Sequence, residues 1–191
     1  MIVALARHPM TALPAGTCYG RLDADLASDA WPDFIGAISA AGVALVRSSP
    51  SRRCLRPAQA TGLSVLVDER LRELDFGAWE GRRWADIPRE ELDPWAADPC
   101  ANAPPGGETG AALIARVGAV WGAIVARGAD CAIVTHGGPL KVLIELARGG
   151  ARPDGAGTTV RHGRRHPLLS ASVARAALSA STTQAPSTSP V

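Results

Sequence analysis

CAIVTHGGPL, residues 131–140, is the stretch on which the fold turns. A short apolar run bounded by turn residues predicts a buried strand over Ala132–Thr135. His136, Gly137 and Gly138 follow at once, and Pro139 suits the first turn of a helix, here predicted over Pro139–Arg148. The amino terminus, MIVALARHPM (1–10), has the same build: apolar residues Ile2–Ala6 run into Arg7, His8 and Pro9. The chain holds 4 histidines, and two of them stand at the ends of predicted strands.

Working outward, further strands are predicted over Val43–Val46 and Ser64–Val67. From Thr109 to Arg127, Leu113, Val117, Val120, Trp121 and Ile124 fall on one face of a helix that Gly128 stops. A weaker helix follows Ser51, where Pro57 is expected to kink or delay it. Short strands alternating with helix-period segments predict an α/β fold: a mostly parallel central sheet with helices on both faces. Residues 77–107, rich in Trp and Pro, read as an excursion of short helices and loops over that sheet. Residues 1–150 are expected to form the domain. Residues 151–191 are atypical: Arg, Gly and His first, then STTQAPSTSPV, a composition that predicts partial disorder. HPLLSASVARAALSA between them is compatible with a helix or a poor strand.

With 191 residues and a formal net charge of +2, the chain suits one domain and offers no case for a polyanionic partner. Arginine supplies nearly all the basic residues, and no Lys/Arg stripe alternates with aromatics, so nucleic acid is not an expected partner. Cys18, Cys54, Cys100 and Cys131 are too dispersed for a zinc or redox pair and read as reduced thiols. The apolar amino terminus lacks the features of a secretion signal. Residues 111–134, though greasy, are interrupted by Arg116, Arg127 and Asp130, which argues against a membrane span. A cytoplasmic protein is expected, and nothing in the sequence fixes its oligomeric state.

Ligands of open parallel sheets bind beyond the carboxyl ends of the strands. There the sequence delivers Arg7 and His8; then Arg47, Ser48, Ser49, Arg52 and Arg53 from RSSPSRRC; then Glu73, Asp75 and Glu80; and finally His136 with a helix start. Arginine forks match phosphate bidentately, free amides of a helix start add donors, and paired glycines let backbone approach. One imidazole can then accept a phosphoryl group while a carboxylic acid protonates the leaving alcohol. That chemistry needs no metal and no cofactor, and its partner is a small-molecule phosphomonoester. A trio of His8, Cys18 and His136 fits no familiar metal-ligand set. Glu73 and Glu108 compete as the acid, with Glu80 behind; any of Arg52, Arg53 and Arg56 can serve as the clamp.

RHP, SSPSRRC, LRELDFGAWEG and VTHGG, in that order, resemble the histidine phosphatase superfamily, with its phosphoglycerate mutase-like fold, over residues 1–148. The resemblance implies His8 as nucleophile, Glu73 as proton donor, and Arg7, Arg53 and His136 as the phosphate clamp. Thr11 matches the family's threonine, Gly137 the close backbone approach, and Glu108 belongs to PPGGET (104–109). GTCYGRLDADL (16–26), LDFGAWEGRRWADIP (74–88) and PPGGET resemble the α-ribazole phosphatase branch, which implies α-ribazole 5′-phosphate, late in cobalamin assembly, as substrate. A broad-specificity or sugar-phosphate phosphatase of the same superfamily, and a non-catalytic phosphate binder, are the alternatives. The pattern departs from the family at Pro9 (usually Gly), at Pro14 (usually Asn), and after Gly150, where the usual closing strand and helix are not legible. VRHGRRH (160–166) contains a literal Arg-His-Gly but follows no predicted strand.

Overall fold

The computed structural model describes residues 1–149 and the backbone of strand 174–177. In chain order the elements are β1 (Ile2–Arg7), α1 (Pro32–Ala40), β2 (Leu45–Ser48), α2 (Arg52–Ala60), β3 (Ser64–Val67), α3 (Arg89–Ala97), α4 (Gly110–Arg127), β4 (Cys131–Thr135), α5 (Gly137–Ala147) and β5 (Ala174–Ala177). The strands form one sheet in the order β3-β2-β4-β1-β5. The first four run parallel and β5 pairs antiparallel with β1.

Alternation along the central strands explains the layers. Val3, Leu5, Cys131 and Ile133 point to one face, where Leu113, Val117 and Val120 of α4 and Leu143 of α5 cover them. Ala4, Ala6, Val46, Ala132 and Val134 point to the other, against Phe34 and Ile38 of α1 and Cys54 and Ala58 of α2. A parallel sheet buried on both faces needs near-continuous apolar strands, and β1 and β4 have them. α4 is apolar and long enough to cross a bilayer by length and composition. In this fold its apolar stripe packs into the core, and Arg116 on it binds protein groups described below.

Several elements differ from the sequence reading. β2 lies two residues downstream of Val43–Val46, because Arg47 and Ser48 pair with Ile133 and Val134 of β4; ladder pairing overrides their polarity. Helix α1 was not legible: only Phe34 and Ile38 are buried along it, too few for a clear helical stripe, although Pro32 marks its start. Helix α2 runs from Arg52 to Ala60 with Pro57 inside it, so its start is not delayed. Helix α5 begins at Gly137, two residues before Pro139, so both glycines belong to its first turn. The excursion of residues 77–107 holds α3 and the short 3-10 turns Gly77–Trp79 and Trp84–Asp86. Trp79, Trp84, Trp95 and Phe76 pack there ring against ring, with centroids 5.2–6.3 Å apart. β5 falls within the segment read as helix or poor strand and covers the free edge of β1. The rest of 151–191, including VRHGRRH and the tail expected to be disordered, lies outside the described residues.

Candidate active site

β1 and β4 are neighbours with Arg7 opposite Thr135, so the residues one step beyond each strand end side by side. The His8 amide donates to the Thr135 carbonyl at 3.0 Å. The rings of His8 and His136 meet edge to face, with centroids 5.2 Å apart. β2 ends beside them and supplies Ser49; the first turn of α2 supplies Arg53.

The two imidazoles are held differently. His8 Nδ1 lies 2.7 Å from the Pro9 carbonyl oxygen. A carbonyl only accepts, so Nδ1 carries the proton and Nε2 keeps its lone pair. Pro9 lacks an amide hydrogen, yet the contact that orients His8 uses its carbonyl, which proline retains. Burial pushes the His8 pKa down to about 3; the Pro9 bond opposes this, and the charges of Arg53 and Arg7 add to it. The ring is therefore neutral at physiological pH.

His136 is fully buried, and protein groups engage both of its nitrogens. Arg53 Nε donates to Nδ1 at 3.2 Å, so Nε2 is the protonated nitrogen and donates to Ser49 Oγ at 2.8 Å. The Cys54 thiol sits 3.5 Å from Nε2. Burial holds the His136 pKa well below its ordinary value, with smaller pushes from Arg53, His8, Arg7 and Arg116.

Arg53 is itself fully buried. Its Nη1 donates to the Leu22 carbonyl at 2.7 Å, its Nη2 donates to the Gly20 carbonyl, and Tyr19 presents its ring 5.3 Å from the guanidinium. Arg7 is exposed and, among the described residues, its guanidinium has no hydrogen-bonded partner. It stands beside the start of α5, 3.7 Å from where a Cβ on Gly137 would lie.

Glu73 rests on the first turn of α5. Both carboxylate oxygens lie 3.1 Å from the Gly138 amide, and Oε1 also accepts from the Leu74 amide at 2.9 Å. Negative charge is favoured at a helix start. A Cβ on Gly138 would fall 2.3 Å from Oε1, so the carboxylate needs glycine there. Glu108, its rival, faces elsewhere: Arg116 grips it bidentately at 2.7 and 2.8 Å. The remaining N–H groups of Arg116 bind the carbonyls of Arg70, Arg72 and Glu73. That pair braces the segment carrying Glu73, and Arg21 adds a second charge 3.7 Å from Glu108 Oε2; among the described residues neither Glu108 oxygen is bonded to a histidine. Thr11 is buried, and its backbone bridges to Leu26.

Beyond Arg7 and Glu73 a cleft of about 240 Å³ opens between α4 and α5, with Leu74, Phe76, Leu113, Ile114 and Val142 in its walls and Lys141 on its lining. Among the described residues, no three His, Cys, Asp or Glu side chains are grouped to hold a metal ion.

The two strand ends thus bring together a buried neutral imidazole whose Nε2 has no hydrogen-bonded partner among the described residues, a buried arginine and a carboxylate on a helix start, groups chemically suited to a phosphate. Residues 3–162 match the family described as the histidine phosphatase superfamily, branch 1. The chain belongs to that superfamily. A bifunctional protein of Mycobacterium tuberculosis is 36% identical over an alignment of 160 residues, with 75% of this histidine phosphatase chain and 43% of that protein covered. The chain thus spans under half the length of that curated relative. Among solved structures, a mycobacterial glucosyl-3-phosphoglycerate phosphatase is 29% identical with a TM-score of 0.64, covering 76% of this chain and 78% of that one. The α-ribazole phosphatase of Shigella flexneri is 25% identical with a TM-score of 0.70, covering 79% and 81%.

Sequence reasoning passed over three parts of this histidine phosphatase site. Ser49 was one of several polar residues after a strand, and only its bond to His136 singles it out. Tyr19 lay in a quoted motif without a role. Arg116 figured only as an interruption in a greasy helix.

Proposed function

We propose that this histidine phosphatase hydrolyses a phosphomonoester in two steps through phosphohistidine. His8 Nε2 attacks phosphorus, and the ester oxygen leaves with a proton from Glu73. The Glu73 carboxylate then takes a proton from water, whose oxygen attacks phosphorus and restores His8. Arg53 and Arg7 neutralise the phosphoryl oxygens in both transition states. His136 serves the clamp by holding Arg53, with Thr11 and the amide of Gly137 at its margin. The observation that carries this reading is the 2.7 Å bond from His8 Nδ1 to the Pro9 carbonyl. It leaves the other nitrogen of a neutral ring free beside Arg53.

For the substrate we propose α-ribazole 5′-phosphate, in the cytoplasm, where the free thiols of Cys18, Cys54, Cys100 and Cys131 suit a reducing medium. The apolar cleft beside Glu73 supports an alcohol with a flat aromatic base, since apolar walls with few polar groups favour such ligands. The likeness to an α-ribazole phosphatase supports the same choice. The likeness to a glucosyl-3-phosphoglycerate phosphatase favours a second reading, in which the alcohol is a glycosylated acid. Steady-state kcat/KM on α-ribazole 5′-phosphate, glucosyl-3-phosphoglycerate and p-nitrophenyl phosphate separates them. We expect α-ribazole phosphate to lead by at least about tenfold, since burying its base is worth that much or more. Equal rates on all would leave a broad-specificity phosphatase. Binding of the esters without release of phosphate would leave a non-catalytic binder.

A further inference from the structure

A buried guanidinium is costly unless its charge is countered. Arg53 is fully buried, and among the described residues no carboxylate forms a salt bridge with it. The counter-charge lies one peptide away. The carbonyls of Gly20 and Leu22 accept from Arg53 Nη2 and Nη1. On the far side of the same strap, the amides of Arg21 and Leu22 donate to the Glu80 carboxylate, Arg21 at 2.8 Å. The Gly20–Arg21 peptide is thus gripped at its oxygen by a cation and at its nitrogen by an anion. Each bond polarises the group so as to strengthen the other.

Glu80 is fixed in turn. Its Oε1 also accepts from the Phe76 amide at 3.1 Å, and its own amide caps the turn at Gly77. The approach is close enough to exclude any side chain at Gly20, where a Cβ would lie 1.9 Å from the Leu74 carbonyl and 2.8 Å from Glu80 Oε1. A carboxylate placed directly on Arg53 would compete with a bound anion for its N–H groups. Acting through backbone, Glu80 stabilises the cation and aims it without occupying it.

We propose that Glu80 is a positioning residue: through the Gly20–Leu22 strap it sets the orientation of Arg53, and with it the affinity of the site for phosphate. This rests on the reading of Arg53 as phosphate clamp. In Glu80→Gln one carboxylate oxygen becomes an NH₂ facing a backbone N–H, and the charge is lost. The test is the dissociation constant of inorganic phosphate, measured by calorimetry on the full chain with melting temperatures alongside. Glu80→Gln should weaken phosphate by roughly ten- to a hundredfold, the worth of a charged hydrogen bond. In an Arg53→Lys background, where no fork engages the two carbonyls, adding Glu80→Gln should change the constant by less than about twofold.

A purely structural role would instead lower melting temperature and weaken phosphate equally in both backgrounds, which overturns the proposal. So does a folded Glu80→Gln that binds phosphate as the unaltered protein does. If Glu80→Gln fails to fold, Glu80→Asp keeps the charge on a shorter arm; phosphate binding there equal to that of the unaltered protein overturns the proposal as well. Absence of phosphate binding by the unaltered protein defeats the clamp reading and this inference together. Binding that Arg53→Lys weakens and Glu80→Gln does not defeats this inference alone.

Discussion

The ends of β1 and β4 start from nearly the same sequence, an apolar strand that delivers a histidine, and finish as opposites. His8 meets a carbonyl at Nδ1, which leaves Nε2 unprotonated and unspent. His136 takes a hydrogen bond from Arg53 at Nδ1 and gives one to Ser49 from Nε2, which leaves no nitrogen over. The rings are 5.2 Å apart and both are kept neutral by burial. Burial and charge therefore do not separate the two rings; the hydrogen-bond partner at Nδ1 does, and it is what favours His8 over His136 as the proposed nucleophile. A carbonyl makes that nitrogen a donor, and a guanidinium makes it an acceptor.

The sharpest way to break this contrast is to delete each ring in turn. His8→Ala is expected to abolish the acid-labile phosphoenzyme seen by rapid-quench labelling and to lower kcat by on the order of 10⁵-fold or more, as loss of a nucleophile does. His136→Asn keeps groups able to face Arg53 and Ser49, so it should still label, with turnover reduced by roughly 10²- to 10³-fold through a misaimed clamp. Labelling that persists in His8→Ala and vanishes in His136→Asn would reverse the assignment of the two rings.

A smaller effect separates the carboxylates. Glu73 lies on the Gly138 amide beside Arg7, while both oxygens of Glu108 are taken by Arg116. Glu73→Gln should cost about 10²- to 10⁴-fold on alkyl phosphates, the usual worth of a general acid, and far less on p-nitrophenyl phosphate, whose leaving group needs no proton. Glu108→Gln should act evenly on both substrates, because it loosens the brace under Glu73 without removing a proton donor. A leaving-group dependence that appears in Glu108→Gln and not in Glu73→Gln would move the acid to PPGGET.

How far all this was legible depends on whether a residue's partner is close in sequence. β1, β3 and β4 could be read because each is an apolar run with local boundaries, and α4 because Leu113, Val117, Val120 and Ile124 repeat on one face. The pairing of His8 with His136 could be inferred because parallel neighbours bring their carboxyl ends to one edge. Helix α1 could not, since its burial rests on two side chains whose partners are in distant strands. The slide of β2 onto Arg47 and Ser48 had no local signal either: β4 dictates it. The seat of Glu73 on Gly138, the grip of Arg116 on Glu108 and the hold of Glu80 on the Arg21 amide join residues 65, 8 and 59 positions apart. No periodicity reports such pairs.

What the two imidazoles share should appear in acid. Burial lowers the His8 pKa from 6.5 to about 3 and holds that of His136 well below its ordinary value. Below pH 6.5 the unfolded chain binds protons at both rings, while the folded chain binds none at His8 until about pH 3. Stability contributed by the neutral rings is therefore full above 6.5 and drains away as pH falls through that window. For His8 the loss is on the order of 3–5 kcal/mol, from the worth of a pKa unit. Chemical unfolding at stepped pH checks it. The slope of unfolding free energy between pH 6.5 and 3 should flatten in His8→Asn, and again when His136→Asn is added. Phosphate binding adds a distinction, because a proton on His136 Nδ1 displaces the Arg53 bond, whereas a proton on His8 Nε2 leaves the Pro9 bond in place. An acid slope unchanged by either substitution would mean the rings are hydrated and ordinary. The tautomers argued from their partners would then lose their physical basis.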